Sequence, residues 1–174
     1  MLAIGEATFG YREYYTSSVA PIASDRDGYY VKGEIGALVP INRKTELLAT
    51  YRYEYKDANK SYEAYSSNRL RLRMVYVLPA NDFFYIDASV NRIEWDEPNP
   101  FIAPDSTRLD LDTRVQATYG VPIKDLLNMV SMNRTFGNSI LSFSTEFYDQ
   151  NSNRTGYDFS NFRFSMYLTT NWDL

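Results

Sequence analysis

Arg69, Arg71 and Arg73 alternate with Leu70, Leu72 and Met74 in SSNRLRLRMVYVLPAND, residues 66–82. Successive side chains of a strand point to opposite faces. This spacing therefore puts the guanidinium groups on one face and a row of large apolar groups on the other. The chemistry of such a stripe is electrostatic: it pairs with carboxylates, or it lines a path for anions and acidic sugars, as charged rings do in channels. Acid–base and covalent chemistry find little support. The chain has no histidine and no cysteine, which removes the commonest general base, the commonest metal ligand and any thiolate or disulfide. Lys32 is the one lysine placed on the polar face of a strand, and no serine has a distinguishing context beside it. No catalytic residue is assigned, and an enzyme is not expected. Asp25-Arg26-Asp27-Gly28 begins like a calcium loop, but the later oxygen ligands do not follow, so the stretch is read as a turn. No metal or cofactor is expected. A formal net charge of −4 has the wrong sign for a nucleic-acid binder.

The stripe belongs to one of eight segments with period-two alternation. The first, about 3–14, carries Arg12 on its polar face. The second, about 29–39, carries Lys32 and Glu34, and the third, 46–56, carries Arg52 and Glu54. The fifth, about 83–95, places Asp87 opposite Phe84, Ile86, Ala88 and Val90, and its phase is expected to slip at a bulge near Arg92-Ile93. The sixth, 107–121, sets Arg108, Asp110, Asp112 and Arg114 against Leu109, Leu111 and Val115. The seventh, about 139–148, carries Glu146, and the eighth, about 159–174, carries Arg163. These segments run well beyond the usual strand of ~5–6 residues and match the ~9–11 that a tilted strand needs to cross a bilayer.

The connections alternate in length. PINRKT (40–45) and PAND (79–82) are short and marked by proline, whereas 16–28, 57–67, 96–106 and 149–156 are longer and polar. The exception is VPIKDLLNMVSMNRTFGN (121–138), on the short-turn side, where Leu126, Leu127, Met129 and Val130 suggest one face of a short helix over about 123–132. It is expected to rest on the rim, and 122–138 is the place for a periplasmic or envelope protein partner.

Aromatic placement bears on which face is inside. On the apolar face, Tyr53, Tyr55, Trp95, Phe147 and Phe162 are expected near the long loops, and Tyr76, Phe84, Tyr119 and Trp172 near the short turns. Aliphatic residues fill between. Rings flanking an aliphatic band are expected where they sit at two lipid–water interfaces. The polar faces nearly balance acids and bases, as a shared interior requires. The arginines are therefore expected to point in, and lipid to lie outside.

The stretch LLATYRYEYKDANKSYEAYSSNRLRLRMVYVLP resembles a hairpin of Gram-negative outer-membrane β-barrels: an aromatic strand, an Asp/Asn loop, then an Asn-Arg entry to a strand ending in an aromatic. It is similar both to small OmpA/OmpX-type barrels and to the barrel domains of polysaccharide-export proteins. FRFSMYLTTNWDL, with Phe162, Phe164, Met166, Leu168 and Trp172 at alternate positions, is similar to the closing strand that the barrel-assembly machinery recognises, though it ends in Leu174. The resemblance implies location and fold and carries no substrate.

The expectation is an all-β single domain over 1–174: an eight-stranded antiparallel up-and-down transmembrane β-barrel in the bacterial outer membrane. Its leading function is a non-enzymatic scaffold that binds a partner, its interior filled by a charge network. The first rival is a channel, or part of a larger barrel, conducting solutes or exported polysaccharide. The second is a soluble lipocalin-like barrel with the apolar face around a hydrophobic ligand.

Overall fold

Each alternating segment becomes one strand in the computed structural model, which describes all residues except 18, 20, 21, 80, 124–138 and 171–174. The strands are β1 (Leu2–Arg12), β2 (Gly28–Asn42), β3 (Thr45–Lys56), β4 (Tyr65–Val77), β5 (Phe83–Trp95), β6 (Leu109–Pro122), β7 (Ser139–Ser152) and β8 (Phe159–Thr170). They form one antiparallel meander in the order β1 to β8, each strand hydrogen-bonded to its neighbour in sequence. The helix expected over 123–132 falls almost wholly outside the described residues.

Two tight connections show why chain reversal is easy on the short-turn side. Between β2 and β3, the Asn42 side chain accepts a hydrogen bond from the Lys44 amide at 2.8 Å, a local bond that stabilises a turn without tertiary support. Between β4 and β5, Asn81 takes φ 64°, a left-handed conformation that asparagine tolerates better than most residues. The opposite ends are joined by 13–27, 57–64, 96–108 and 153–158.

The register is continuous through β5: Arg92 faces Asn68 and Leu111, and Ile93 faces Ser67 and Asp110. The bulge expected near Arg92-Ile93 is absent, and the irregularity lies between Pro40 and Asn42 in β2. What the sequence shows at Arg92 is a change of composition along an unbroken strand. Arg92 and Glu94 stay on the apolar side, where they pair at 2.7 Å, while Ile93 and Trp95 turn to the polar side.

Burial is inverted relative to a water-soluble sheet. Among the described residues, Ala64 and Val121 are the buried apolar residues, whereas Asp110 and Asp87 are 1% and 7% exposed and Leu70 and Phe164 are 63% and 61% exposed. The polar face is thus the enclosed side of the curved sheet. The apolar face dips at its waist, where Ala37, Ala49 and Ala88 help line a groove of about 760 Å³.

No ladder among the described residues joins β1 to β8. Most residues of the two edge strands are exposed; Thr8, Gly10 and Arg12 of β1 and Ser165 and Thr170 of β8 are half-buried.

Candidate functional site: the charged inner face

The successive ladders that run across the eight strands bring the expected polar residues onto one surface. Arg71, Arg73 and Asp87 meet at the centre of the sheet. The Asp87 carboxylate accepts from Arg71 Nη2 at 2.6 Å, Arg73 Nε at 3.0 Å and the Tyr85 hydroxyl at 2.8 Å. Register explains the convergence: Arg73 is directly opposite Asp87, and Arg71 lies one inward position further along β4. Toward β1 the charges form pairs. Arg52 Nη2 meets Glu34 at 2.5 Å, Lys32 meets Glu6 at 3.2 Å, and Arg12 reaches Glu54 at 3.4 Å. Toward β8, Glu146 accepts from Arg114 Nε at 2.9 Å and from Arg163 at 3.3 Å. Near the long loops Arg108 pairs with Asp110 at 2.6 Å.

Arg69 and Asp112 are brought near each other on β4 and β6, with Asn91 between them on β5, but they do not pair. Arg69 Nε, Asn91 Oδ1 and Asp112 Oδ1 are all buried without a hydrogen-bond partner. They line a cavity of about 280 Å³ that adjoins a second of about 340 Å³ around Arg71, Asp87, Arg114 and Arg163. Buried polar atoms are almost always satisfied by protein or by ordered water, and cavities of this size and polarity take several waters at ~30 Å³ each. The inner face is therefore a hydrated charged surface, with ion pairs at some positions and free polar atoms at others.

The girdle residues divide. Tyr53, Tyr55, Tyr76, Phe84, Tyr119, Phe147 and Phe162 stand on the apolar face, as the alternation requires. Two of their hydroxyls reach polar partners beyond the strands: Tyr55 donates to Asp96 at 3.3 Å and Tyr119 donates to Asp82. Trp95 is a correction. It faces inward, opposite Tyr65, and its indole N–H donates to Asp110 at 3.3 Å. The bulge expected near Arg92-Ile93 would turn it outward, and the unbroken register keeps it inside. Trp172 lies outside the described residues.

Lys56 is a second correction. Lys32 is not the only strand lysine on the polar face: Lys56 continues the inward set of Arg52 and Glu54 at the end of β3, and it is 3% exposed. Extending the period by one step would have found it. Arg154, in the connection from β7 to β8, carries no periodic signal because it is in a loop. The Asp25–Gly28 turn behaves as a turn, since Asp27 accepts from the Tyr14 amide at 2.7 Å and Asp25 from the Tyr62 hydroxyl at 2.7 Å.

What fold and surface define is a class: an all-β chain built as an eight-stranded antiparallel up-and-down meander, compatible with a small β-barrel, whose charged face is the more buried one. Comparison with family models, curated proteins and solved structures finds no match.

Proposed function

We propose that this chain is a non-enzymatic bacterial outer-membrane protein whose sheet forms part of the wall of a β-barrel wider than eight strands, with the polar face lining a water-filled conduit. The carrying observation is the inverted burial together with two unpaired edges. Apolar side chains left exposed across a whole face are stable where the outside is hydrocarbon. Strands of 11 to 15 residues are long enough to cross it with a tilt. The same exposure weighs against a lipocalin-like arrangement, in which the apolar face would be the enclosed one.

An unpaired strand edge in hydrocarbon leaves a row of backbone groups without partners, each costing several kcal/mol, so spanning sheets close. Closure at eight strands would make an interior only wide enough for side chains and would bury the inward groups of β1 and β8. Glu6 and Arg163 instead keep more than half of their side-chain surface. That favours a wider ring over the plugged scaffold. Lipid is then the partner of the apolar face, and the barrel-assembly machinery the partner during insertion.

The test is conductance of the purified, detergent-extracted protein in a planar bilayer, beside gel mobility with and without boiling. Steady conductance steps support the conduit. A heat-modifiable monomer without conductance would replace it with the closed scaffold, and a chain that stays monomeric in buffer without detergent would remove the membrane reading altogether.

A further inference from the structure

At the loop-side end of the polar face the composition changes from ion pairs to rings and unmatched cations. Lys56, Tyr65 and Trp95 sit side by side on β3, β4 and β5. Tyr14, Tyr62, Tyr157 and Arg154 arrive from three different loops, and together these groups enclose a cavity of about 390 Å³. That volume is within the ~300–1,000 Å³ of small-ligand sites.

The charges in this cavity do not cancel locally. Arg26 pairs with Glu63 at 3.4 Å and Arg108 with Asp110 at 2.6 Å. Glu97, an exposed carboxylate on the same lining, accepts a hydrogen bond from the Ser61 hydroxyl and offsets one of the four lining cations only in part, because it stays in contact with solvent. Lys56 has aromatic partners only, its ammonium 4.9 Å from the Tyr14 ring and 5.9 Å from the Tyr65 ring. Arg154 is 7% exposed; one guanidinium nitrogen reaches the carbonyls of Ala103 and Ser106, and its Nε has no partner. Two cations, each more than nine-tenths buried, thus line one cavity without a carboxylate partner among the described residues. Burying an uncompensated charge costs several kcal/mol, and a bound anion would offset that cost.

We infer that this loop-side vestibule binds a small organic anion: a carboxylate placed between Lys56 and Arg154, on a six-membered ring body that packs against Tyr65 and Trp95. Aromatic faces accept either the C–H face of a sugar ring or another aromatic ring, so a uronic acid and an aromatic acid share the required chemistry. The inference rests on the proposed function only in taking the polar face to open to water at its loop side. Its readout is independent of conduction.

The test uses the full chain in detergent micelles with W172F, which leaves Trp95 as the only tryptophan and places the fluorophore in the cavity. Glucuronate and benzoate are titrated, with glucose as the neutral control. A saturable change in Trp95 emission with either acid and none with glucose is expected, and whichever acid binds identifies the ring body. K56Q and R154Q should each weaken that binding about tenfold or more, the scale of a lost charge-assisted hydrogen bond. Absence of binding by both acids up to about 10 mM, weaker than any affinity worth ~2.7 kcal/mol, overturns the inference. So does equal binding of glucose, or unchanged affinity in both variants. Should K56Q not fold, the parent's salt response decides, because acid binding that is indifferent to salt between about 0.05 and 0.5 M is not charge-driven.

Discussion

Asp87 and Glu146 are the same device in two places. Each is an inward carboxylate that accepts from two arginines, Asp87 from Arg71 and Arg73 near the centre of the sheet, Glu146 from Arg114 and Arg163 beside its β8 edge. Their surroundings differ. The arginine side chains at the centre are 33% and 32% exposed, and those at the edge 51% and 56%. Both clusters set one carboxylate between two arginines, so the difference in exposure reports mainly their surroundings, among which the Tyr85 hydroxyl on Asp87 is one. At the centre, neighbouring strands on both sides and the Tyr85 ring screen the charges from solvent. At the edge one side of that enclosure is missing, and a further strand would supply it.

The largest effect is expected from D87N. It leaves Arg71 and Arg73 partly buried without a counter-charge and should cost about 2–3 kcal/mol, the low end for a broken buried pair because the arginines keep some solvent. Unfolding by urea from detergent or lipid vesicles measures it. R71E should be worse still, since it places a second carboxylate against Asp87 where a guanidinium now stands. E146Q is the partner experiment. In a sheet whose β8 edge stays open it should cost less than about 1 kcal/mol, as for exposed pairs. Equal losses in D87N and E146Q would break the comparison, because they would mean that the edge is as enclosed as the centre and that the eight strands close on themselves.

R69Q asks a finer question of the same surface. Arg69 Nε has no hydrogen-bond partner and the guanidinium acts on Asp112 through space without an ion pair, so removing the charge should leave stability within about 1 kcal/mol while lowering anion preference in a bilayer recording. A large loss of stability would instead place Arg69 in a packed network and count against the water-lined reading.

Much of this was legible in the sequence because a strand has a period of two and the inward and outward sets have opposite chemistry. Arg69, Arg71 and Arg73 could be assigned to one face without any structure, and so could Asp87 opposite them. The method failed where composition stops following the period. At Ile93 and Trp95 the inward face turns apolar and aromatic while Arg92 and Glu94 look outward, so an unbroken strand reads as a slipped one. The same exchange of faces hides the vestibule, because the inward ring of Trp95 reads as a ring in lipid. Arg154 was beyond reach for another reason: its placement is set by carbonyls of Ala103 and Ser106, about fifty residues away in the chain, and no local pattern encodes such a contact. Closure is likewise a property of two edges, each of which looks like any other strand.

The smallest expected effect concerns the loops that roof the vestibule. Tyr62 donates to Asp25 at 2.7 Å, and the adjoining backbone bonds from Asn59 to Asp27 at 2.7 Å and from Lys60 to Asp25 at 3.2 Å zip the same two connections together. The hydrogen bond to Asp25, aided by partial desolvation, pushes the Tyr62 phenol up to about 12. A phenol raised above its unfolded value of ~10 contributes stability that is complete below pH ~10 and is lost as pH rises through the folded value. Protection of the 57–64 amides from hydrogen exchange, measured relative to the strand amides to remove the intrinsic pH effect, should therefore fall between about pH 10 and 12 in the parent. In Y62F it should already be lower at neutral pH and show no such step. A step of the same size in Y62F would mean that another group holds the roof, and the backbone bonds of Asn59 and Lys60 would then suffice to join the loops without the phenol.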